Sequence, residues 1–322
     1  MVDLSGLKQD IHEEVSTILS SDFSIDVTGT ASVPHSDDGA ITFPNLDEKV
    51  QGTKLLQTAV LYVDMRRSTA LSLRHRPETV AKLYSAFVRA ITRCAGVYGG
   101  EVRGIIGDRV MMLFETVDCF ANCIDTTVLI NSVCQYILNK NFTHNEVTFG
   151  IGIDYGNMLA TKTGVRRHGS AQQSYRSLVW LGRPANIASK LTDRASKPEE
   201  TFDAIIVTVA YNRSTLLGGS NIVYLDEMPH EFVKKFRRDP ASGLMIHSDP
   251  TFHSFTYKTE RLVTQKAVPP ILMTRVVYEG YRTQRPGAIE LANGWYREVS
   301  LNIPEYQDKI FGGDVVFLAF KS

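Results

Sequence analysis

Hydrophobic positions at the start of the chain recur with a helical period. Apolar residues stand there every three or four positions, with polar and acidic residues between them: Leu4, Leu7, Ile11, Val15 and Ile18. This spacing predicts one amphipathic helix over residues 4–20. We expect the helix either to clasp a second subunit or to fold back onto its own domain. Residues 21–54, rich in Ser, Asp, Gly, Thr and Pro, are predicted to form a linker with at most one short strand.

From Leu55 onwards, short apolar runs alternate with helical repeats. The continuous apolar run 59–63 predicts a strand that is covered on both faces, and it ends at Asp64. A helix, a hairpin, a helix, two strands, a helix and a strand are predicted next, at 79–95, 102–114, 119–138, 147–153, 177–180, 185–191 and 204–209. This order predicts an α+β fold, a ferredoxin-like palm in which helices flank a mixed sheet.

The chain divides into three predicted regions. Residues 1–54 hold the N-terminal helix and linker, residues 55–228 the α+β domain, and residues 229–322 a smaller β-rich region of unknown role. The run 221–225 is expected to close the mixed sheet before the last region begins.

Composition narrows the class of protein. Of the 322 residues, 43% are hydrophobic and 22% are charged, which is typical of an ordinary globular chain. Lys plus Arg and Asp plus Glu number 35 each, so the formal net charge is zero. Binding of nucleic acid through a bulk positive field is therefore not expected.

Cysteine usage and the apolar windows bear on the compartment. Cys94, Cys119, Cys123 and Cys134 form no CxxC pair and have no histidines at metal-site spacing, which predicts small core residues in a reducing compartment. No basic start precedes an apolar stretch at the N-terminus, and polar side chains interrupt the least polar window, 119–138. We therefore expect a cytoplasmic protein with neither a secretory signal nor a membrane span.

Two aspartates stand where apolar strands end. Asp64 follows the run 59–63, and Asp108 lies at the tip of a hairpin predicted beside it. A carboxylate among apolar neighbours is costly unless a cation or a donor meets it. Two such carboxylates from adjacent strands suit a pair of hard divalent cations. The alternative is that Asp64 caps the next helix and Asp108 only makes the turn.

Phosphate-binding chemistry follows Asp64 directly. Cations and hydroxyls come together where a helix is predicted to begin: Arg66, Arg67, Ser68 and Thr69. Farther along, Asn186 and Lys190 stand four residues apart on a predicted helix and so share one face. That face would present an amide and a cation to one ligand, or it is simply solvated.

Four stretches of the chain resemble the class III nucleotidyl cyclases in order and rough spacing. They are LYVDM at 61–65, the Gly107-Asp108 hairpin, GIGIDYG at 150–156 and the helix from Gly182 to Asn186. The resemblance covers about residues 55–215. It implies that 55–228 is a palm-like catalytic domain, paired head to tail in a homodimer with active sites between the two subunits.

The resemblance also implies the role of each residue. One subunit supplies Asp64, Asp108 and the backbone carbonyl of Met65 to two Mg²⁺ or Mn²⁺ ions, which lower the pKa of the ribose 3′-hydroxyl and neutralise the triphosphate. The 3′-oxygen attacks the α-phosphorus, expels pyrophosphate and closes a 3′,5′-cyclic ring. The partner subunit offers Asn186 to orient the ribose and Lys190 to stabilise charge on the phosphorus.

Two positions depart from the family in their cations. The family usually has arginine where Lys190 stands, and lysine lacks the bidentate fork of arginine. The family's phosphate-binding arginine falls at Gly150 and is missing, so we expect Arg66 or Arg67 to replace it.

Other departures concern the nucleotide base. Adenylyl members carry a lysine and an acid at the positions of Gly104 and Val179, and without them the usual hydrogen bonds to adenine are lost. Tyr62, which stands where the family usually has phenylalanine, points to the same side of the strand as Asp64. Its hydroxyl would narrow the pocket for a smaller base, or it is a core tyrosine with a satisfied hydroxyl.

With the pattern Tyr-x-Asp-Met-Arg-x-Ser at 62–68, the chain resembles the pyrimidine cyclases of the bacterial anti-phage systems called Pycsar. This implies a metal-dependent enzyme that converts UTP to cyclic UMP, a signal read by a separate effector protein. CTP stays open as the substrate. A purine (adenylate or guanylate) cyclase and a degenerate domain that binds a nucleotide without turnover also stay open.

Overall fold

The computed structural model describes residues 3–142, 147–163, 178–214 and 220–321. Its strands are β1 (Ser24–Thr30), β2 (Val50–Met65), β3 (Glu101–Ile106), β4 (Arg109–Leu113), β5 (Phe149–Thr161), β6 (Val179–Leu181), β7 (Glu200–Ser214), β8 (Ser220–Glu227), β9 (Phe236–Arg238), β10 (Met245–His247), β11 (Phe252–Gln265), β12 (Ile271–Thr274), β13 (Arg297–Val299) and β14 (Ile310–Gly313). The start of the strand predicted at 177–180 lies outside the described residues.

Its helices are α1 (Leu4–Ile18), α2 (Ser68–Arg74), α3 (Pro77–Val97), α4 (Cys119–Val133), α5 (Asn139–Asn141), α6 (Arg183–Arg194), α7 (Pro229–Lys234), α8 (Arg275–Gln284) and α9 (Ile289–Ala292). A π-helical turn, Cys134–Leu138, continues α4, and a 3₁₀ turn covers Leu318–Phe320. The two helices predicted at 79–95 and 119–138 are thus present with slightly different ends.

The chain forms two compact units, Met1–Lys197 with Val268–Ser322, and Pro198–Ala267. The first contains a nine-stranded sheet in the order β13-β14-β12-β5-β2-β4-β3, with β1 beside β2 and β6 beside β5. Strand β2 is antiparallel to β4 and β5 but parallel to β1, and β12 is parallel to β5. The sheet is therefore mixed, with helices packed on it, as the predicted α+β palm requires.

One face of this sheet carries most of the apolar core. Side chains of β2, among them Leu61 and Val63, point to this face and are fully buried with Phe87 and Ile91 of α3 and with Ile124 of α4. Because β2 is covered on both sides, its central residues form the continuous apolar run that the sequence shows.

Helix α6 packs on the opposite face of the sheet. It can approach closely only because Gly152 has no side chain: a Cβ there would lie 2.2 Å from the Ala188 carbonyl oxygen and 2.4 Å from the Thr192 nitrogen. The Thr192 hydroxyl also donates to the Tyr62 carbonyl, at 3.3 Å, and so ties α6 to β2.

The second unit corrects part of the predicted topology. Strands β7, β8 and β11 form a separate three-stranded antiparallel sheet. The runs 204–209 and 221–225 therefore do not belong to the mixed sheet, because β7 pairs with β8 and β11 instead. The side chains of Val207, Val209, Tyr211 and Phe232 form a core of their own in this unit.

The predicted boundaries at 54/55 and 228/229 differ from those of the compact units. Strand β1, in the predicted linker, pairs with β2 along seven residues. The C-terminal segment returns to the first sheet, where β12 pairs with both β5 and β14. Long-range pairing of this kind joins segments that composition alone separates.

The N-terminal helix and the four cysteines differ in burial. No residue of α1 is buried, so its apolar stripe does not fold back onto the domain, and the clasping role stays a prediction. All four cysteines are buried and free, as predicted for core residues. Among the described residues, no helix is both long and apolar enough to cross a membrane.

Candidate active site

Asp64 and Asp108 lie on neighbouring strands at one edge of the sheet. Asp64 is near the end of β2, opposite Arg109 of β4 on one side and Gly150 of β5 on the other. Asp108 directly precedes Arg109 in the turn between β3 and β4. Directly opposed residues of antiparallel strands point to the same face, so Asp64, Arg109 and Gly150 form one row on the face that α6 covers.

The two carboxylates are close enough to influence each other. Burial raises the pKa of Asp108, and the negative charge of Asp64 raises it further. A hydrogen bond from the Ser68 hydroxyl, at the start of α2, opposes this shift. The ionised form of Asp108 is thus held at a cost that a nearby cation would relieve.

This donor set fits a hard divalent cation. The groups are carboxylate oxygens, the ligands that Mg²⁺ and Mn²⁺ prefer, and like charges crowd at Asp108. Within the described ranges, no cluster of three or more His, Cys, Asp or Glu side chains has the geometry of a metal site. Two carboxylates and the Met65 carbonyl would therefore need oxygens from a substrate to complete the coordination.

Arg66 occupies the space that Gly150 leaves open. A Cβ at Gly150 would lie 2.1 Å from Nη2 of Arg66 and 2.8 Å from its Nε. The Nε and Nη2 atoms are buried and have no hydrogen-bond partner among the residues that the structure describes. Burial lowers the pKa of Arg66, while the charges of Asp64, Asp193 and Asp108 oppose that change. A guanidinium with unused donors therefore stands beside the carboxylate pair.

The remaining predicted nucleotide contacts lie nearer the surface. Arg67 is exposed at the N-cap of α2 in the left-handed region, with φ of 59°, and Thr69 is exposed in its first turn. Helix α2 has only seven residues. Val179 begins β6 and is 36% exposed, opposite Thr161 of β5.

Tyr62 lies in a second cross-strand row, beside the row of Asp64. It is opposite Met111 of β4 and Gly152 of β5, and Met111 is opposite Gly104 of β3. The tyrosine is half-buried against an apolar cluster that contains Met111, and burial raises its pKa. Gly104 adds no side chain to this row, so the row offers no charged group to a base.

Helix α6 presents Asn186 and Lys190 differently. Asn186 is exposed, and its side-chain amide makes no hydrogen bond to a described residue. Lys190 is held in a loop contact, because its ammonium pairs with Glu305 at 2.8 Å and donates to the Pro304 carbonyl at 3.2 Å. The structure therefore brings together Asp64, Asp108 and Arg66, but not Asn186 or Lys190, within one chain.

Sequence reasoning missed Arg109 and its partners. Nη2 of Arg109 lies 2.7 Å from Oδ2 of Asp64 and also pairs with Asp193, while Nη1 donates to the Ser189 hydroxyl at 2.7 Å. The only signal in the sequence was a cation directly after Asp108. Its partners stand 45 to 84 residues away, so periodicity gives no sign of them.

The chain has relatives among known cyclases. No family model matches it. A uridylate cyclase from Xanthomonas perforans is 29% identical over 205 residues, which are 61% of this chain and 81% of the relative. A uridylate cyclase from Burkholderia cepacia is 28% identical and covers 54% of this chain and 72% of its own. A uridylate cyclase from Rhodovulum sp. (strain MB263) is 26% identical, over 61% and 79%.

Solved structures of cyclases also match. The adenylyl cyclase CyaB from P. aeruginosa gives a TM-score of 0.46 at 13% identity, over 80% of this chain and 94% of that chain. A class III adenylyl cyclase-like ATP-binding protein from Pseudomonas aeruginosa gives 0.45 at 16% identity, over 58% and 39%.

The similarity to these relatives supports a nucleotidyl cyclase that resembles the class III enzymes. Within that class, the chain resembles the enzymes named uridylate cyclases. Both the predicted enzyme class and the predicted resemblance are confirmed.

Proposed function

We propose that the protein is a metal-dependent pyrimidine nucleotide cyclase that converts UTP to 3′,5′-cyclic UMP and pyrophosphate. The observation that carries this proposal is the pair of carboxylates, Asp64 and Asp108, gathered on adjacent strands beside the unused donors of Arg66. A site that only bound a nucleotide would have little need for two crowded carboxylates.

Asp64, Asp108 and the carbonyl of Met65 would hold two divalent cations, Mn²⁺ or Mg²⁺. When bound, such ions lower the pKa of a ribose 3′-hydroxyl and neutralise a triphosphate. Arg66 would donate its N–H groups to phosphate oxygens. It would thereby replace the phosphate-binding arginine that the resembled family carries at the position of Gly150. Arg67 and Thr69, exposed at the start of α2, would add contacts farther along the triphosphate.

Substrate choice would follow from the row that contains Tyr62. The row offers Gly104 where adenylyl members of the resembled family carry a lysine, and Val179 stands where they carry an acid. The Tyr62 side chain would narrow the pocket for the base, which favours a pyrimidine over a purine. The four relatives named uridylate cyclases support UTP over CTP.

Asn186 and Lys190 would act across a homodimer interface. Asn186 is exposed and has no partner among the described residues, as expected of a group that serves the other subunit's site by orienting the ribose. Lys190 would stabilise charge on the phosphorus once it leaves Glu305, whose side chain is 74% exposed. The cyclic nucleotide would then serve as a second messenger in anti-phage defence in the cytoplasm, read by a separate effector protein.

The substrate assay tests the central part of this proposal. The purified protein is incubated with Mn²⁺ and each of the four ribonucleoside triphosphates, and the products are identified by mass spectrometry. Cyclic UMP as the main product is the expected result. Cyclic CMP as the main product would identify CTP, rather than UTP, as the substrate. Cyclic AMP or cyclic GMP would indicate a purine cyclase. No product from any of the four substrates would indicate a domain that binds a nucleotide without turnover.

Subunit mixing tests the composite site. Asp64→Ala and Asn186→Ala proteins are each expected to be inactive, because every homodimeric site lacks one of the two residues. A mixed dimer has one intact site, so an equal mixture should recover about a quarter of the wild-type activity. Failure to recover activity, with subunit exchange demonstrated by mass, would contradict a shared interface.

A further inference from the structure

Arg109 contacts one carboxylate of the proposed metal pair directly. Its guanidinium lies 2.7 Å from Asp64, and the side chains of Arg109 and Asp64 are only 26% and 13% exposed. Because Arg109 is opposite Asp64 in the strand register, backbone pairing places the two groups together. The Arg109 guanidinium thus occupies Oδ2 of Asp64, an oxygen that the proposed metal role assigns to a divalent cation.

The same guanidinium reaches helix α6. Its Nη2 atom also donates to the Asp193 carboxylate, while Nη1 donates to the Ser189 hydroxyl at 2.7 Å. Arg109 therefore has two sets of partners, one on β2 and one on α6. If Asp64 is taken by another cation, the partners on α6 still satisfy the guanidinium, so its release from Asp64 leaves no unpaired buried charge.

We propose that Arg109 is an internal counter-cation for Asp64. It holds the carboxylate while no divalent cation is bound, releases it when one binds, and remains anchored to α6 through Asp193 and Ser189. Arg109 is thus a positioning residue rather than a catalytic one, since it acts through Asp64. This inference rests on the metal role of Asp64 given in the proposed function.

The arrangement also links the two halves of the proposed dimer. Helix α6 carries Asn186 and Lys190, which would serve the other active site, while Asp64 serves its own. Arg109 joins these two elements within one subunit. Binding of a divalent cation at Asp64 would therefore change the contacts of the helix that completes the second site.

Binding of Mn²⁺ alone to the nucleotide-free protein tests the proposal, with free Mn²⁺ measured by electron paramagnetic resonance. Arg109→Gln should bind Mn²⁺ about fivefold to tenfold more tightly than wild type, because a competing cation is removed from Asp64. Asp193→Asn should bind about twofold to threefold more weakly, because Arg109 loses its alternative carboxylate. An Arg109→Gln protein that is no tighter than wild type would overturn the proposal.

A double-mutant cycle separates this exchange from a general charge effect. If Asp193 acts through Arg109, Asp193→Asn should have no effect on Mn²⁺ affinity in the Arg109→Gln background. An equal weakening in both backgrounds would overturn the proposal. The side chain of Asp193 is 55% exposed, so Asp193→Asn should keep the fold. If Arg109→Gln is unstable, Asp193→Asn alone tests the proposal. An Mn²⁺ affinity of Asp193→Asn equal to or above that of wild type then overturns the proposal.

An Asp64→Asn protein distinguishes this inference from the proposed function. It is expected to lose Mn²⁺ binding while it keeps the wild-type melting temperature. If Asp64→Asn binds Mn²⁺ as wild type does, the metal role fails and the inference fails with it. If Asp64→Asn loses binding and Arg109→Gln is not tighter, only the inference about Arg109 is contradicted.

Discussion

The two faces of the nine-stranded sheet differ in what satisfies their side chains. On the face that packs against α3 and α4, Leu61 is fully buried against side chains such as Phe87 of α3 and needs only apolar neighbours. On the α6 face, the end of the same strand carries Asp64 beside Arg109, with Arg66 next to it. The α6 face thus holds charges, and donors without a partner among the described residues, that an external ligand would satisfy.

Glycine makes this second face possible. Gly150 leaves room for the guanidinium of Arg66, and Gly152 leaves room for the backbone of α6. A larger residue at either position would exclude one component of the site. The Gly-x-Gly pattern of β5 is therefore explained by close approach on the α6 face rather than by a turn.

The largest expected effect comes from removing a carboxylate. Asp108→Ala should reduce turnover by at least about a thousandfold, since a metal ligand is lost, and it should not lower the melting temperature, because burial already raises the pKa of Asp108 and disfavours its charge. Product formation and thermal unfolding are measured side by side. Asp37→Ala, at an exposed aspartate, is the control; retained turnover in Asp108→Ala would remove this residue from the metal site.

Truncation on the apolar face should affect stability instead. Phe87 is fully buried and stacks on Phe149 with ring centroids 5.3 Å apart. Phe87→Ala should lower the free energy of unfolding by about 3–5 kcal/mol in urea titrations, with Mn²⁺ affinity of the folded protein unchanged. Arg89→Ala, on the exposed side of α3, should change stability by less than about 0.5 kcal/mol. Equal losses of unfolding free energy in Phe87→Ala and Arg89→Ala would contradict the stabilising role of the apolar face.

The pair of Arg66 and Gly150 should show a smaller, specific loss. Gly150→Ala places a methyl group 2.1 Å from Nη2 of Arg66, so the guanidinium must move away from the carboxylate pair. We expect kcat/KM for the nucleotide to fall about 10- to 100-fold, the equivalent of about 1.4–2.7 kcal/mol, with a similar fall in Arg66→Ala.

The double variant separates Arg66 from its neighbour. Because both substitutions remove the same contact, Arg66→Ala with Gly150→Ala should cost little more than either alone. Arg67→Ala, at the exposed neighbouring position, should have the smaller effect. A larger loss in Arg67→Ala would assign the phosphate contact to Arg67 instead.

The smallest effect concerns a buried acid of β5. Burial raises the pKa of Asp154, although Thr274 donates to it at 2.7 Å. A carboxyl whose pKa is raised by folding contributes stability at low pH, and this contribution is lost as pH rises through the folded pKa. The unfolding free energy of wild type relative to Asp154→Asn should therefore decline as the pH rises from the unfolded pKa of about 3.9 through the raised folded pKa. A pH-independent difference would contradict this.

The parts of the molecule that sequence predicts are those set by local pattern. The apolar run that ends at Asp64 and the Gly107-Asp108 turn depend on neighbouring residues, and both lie where predicted. The pairing of 204–209 with residues of the second unit was not predictable, because strand partners are chosen by contacts far along the chain.

The same limit applies to side-chain partners. Lys190 and Glu305 stand 115 residues apart, and Arg109 and Asp193 stand 84 apart. Spacing on one helix placed Lys190 beside Asn186 but gave no sign of a carboxylate from a distant loop. The absence of an arginine at Gly150 led to the prediction that Arg66 or Arg67 replaces it. The Arg66 guanidinium does lie beside Gly150, while its role in binding phosphate stays a prediction.

A structure determined with Mn²⁺ and a non-cyclising UTP analogue tests the central claim most directly. We predict Mn²⁺ within about 2.0–2.2 Å of carboxylate oxygens of both Asp64 and Asp108, with Arg66 on a phosphate oxygen. Mn²⁺ and nucleotide bound elsewhere, with Asp64 and Asp108 contacting neither, would contradict it.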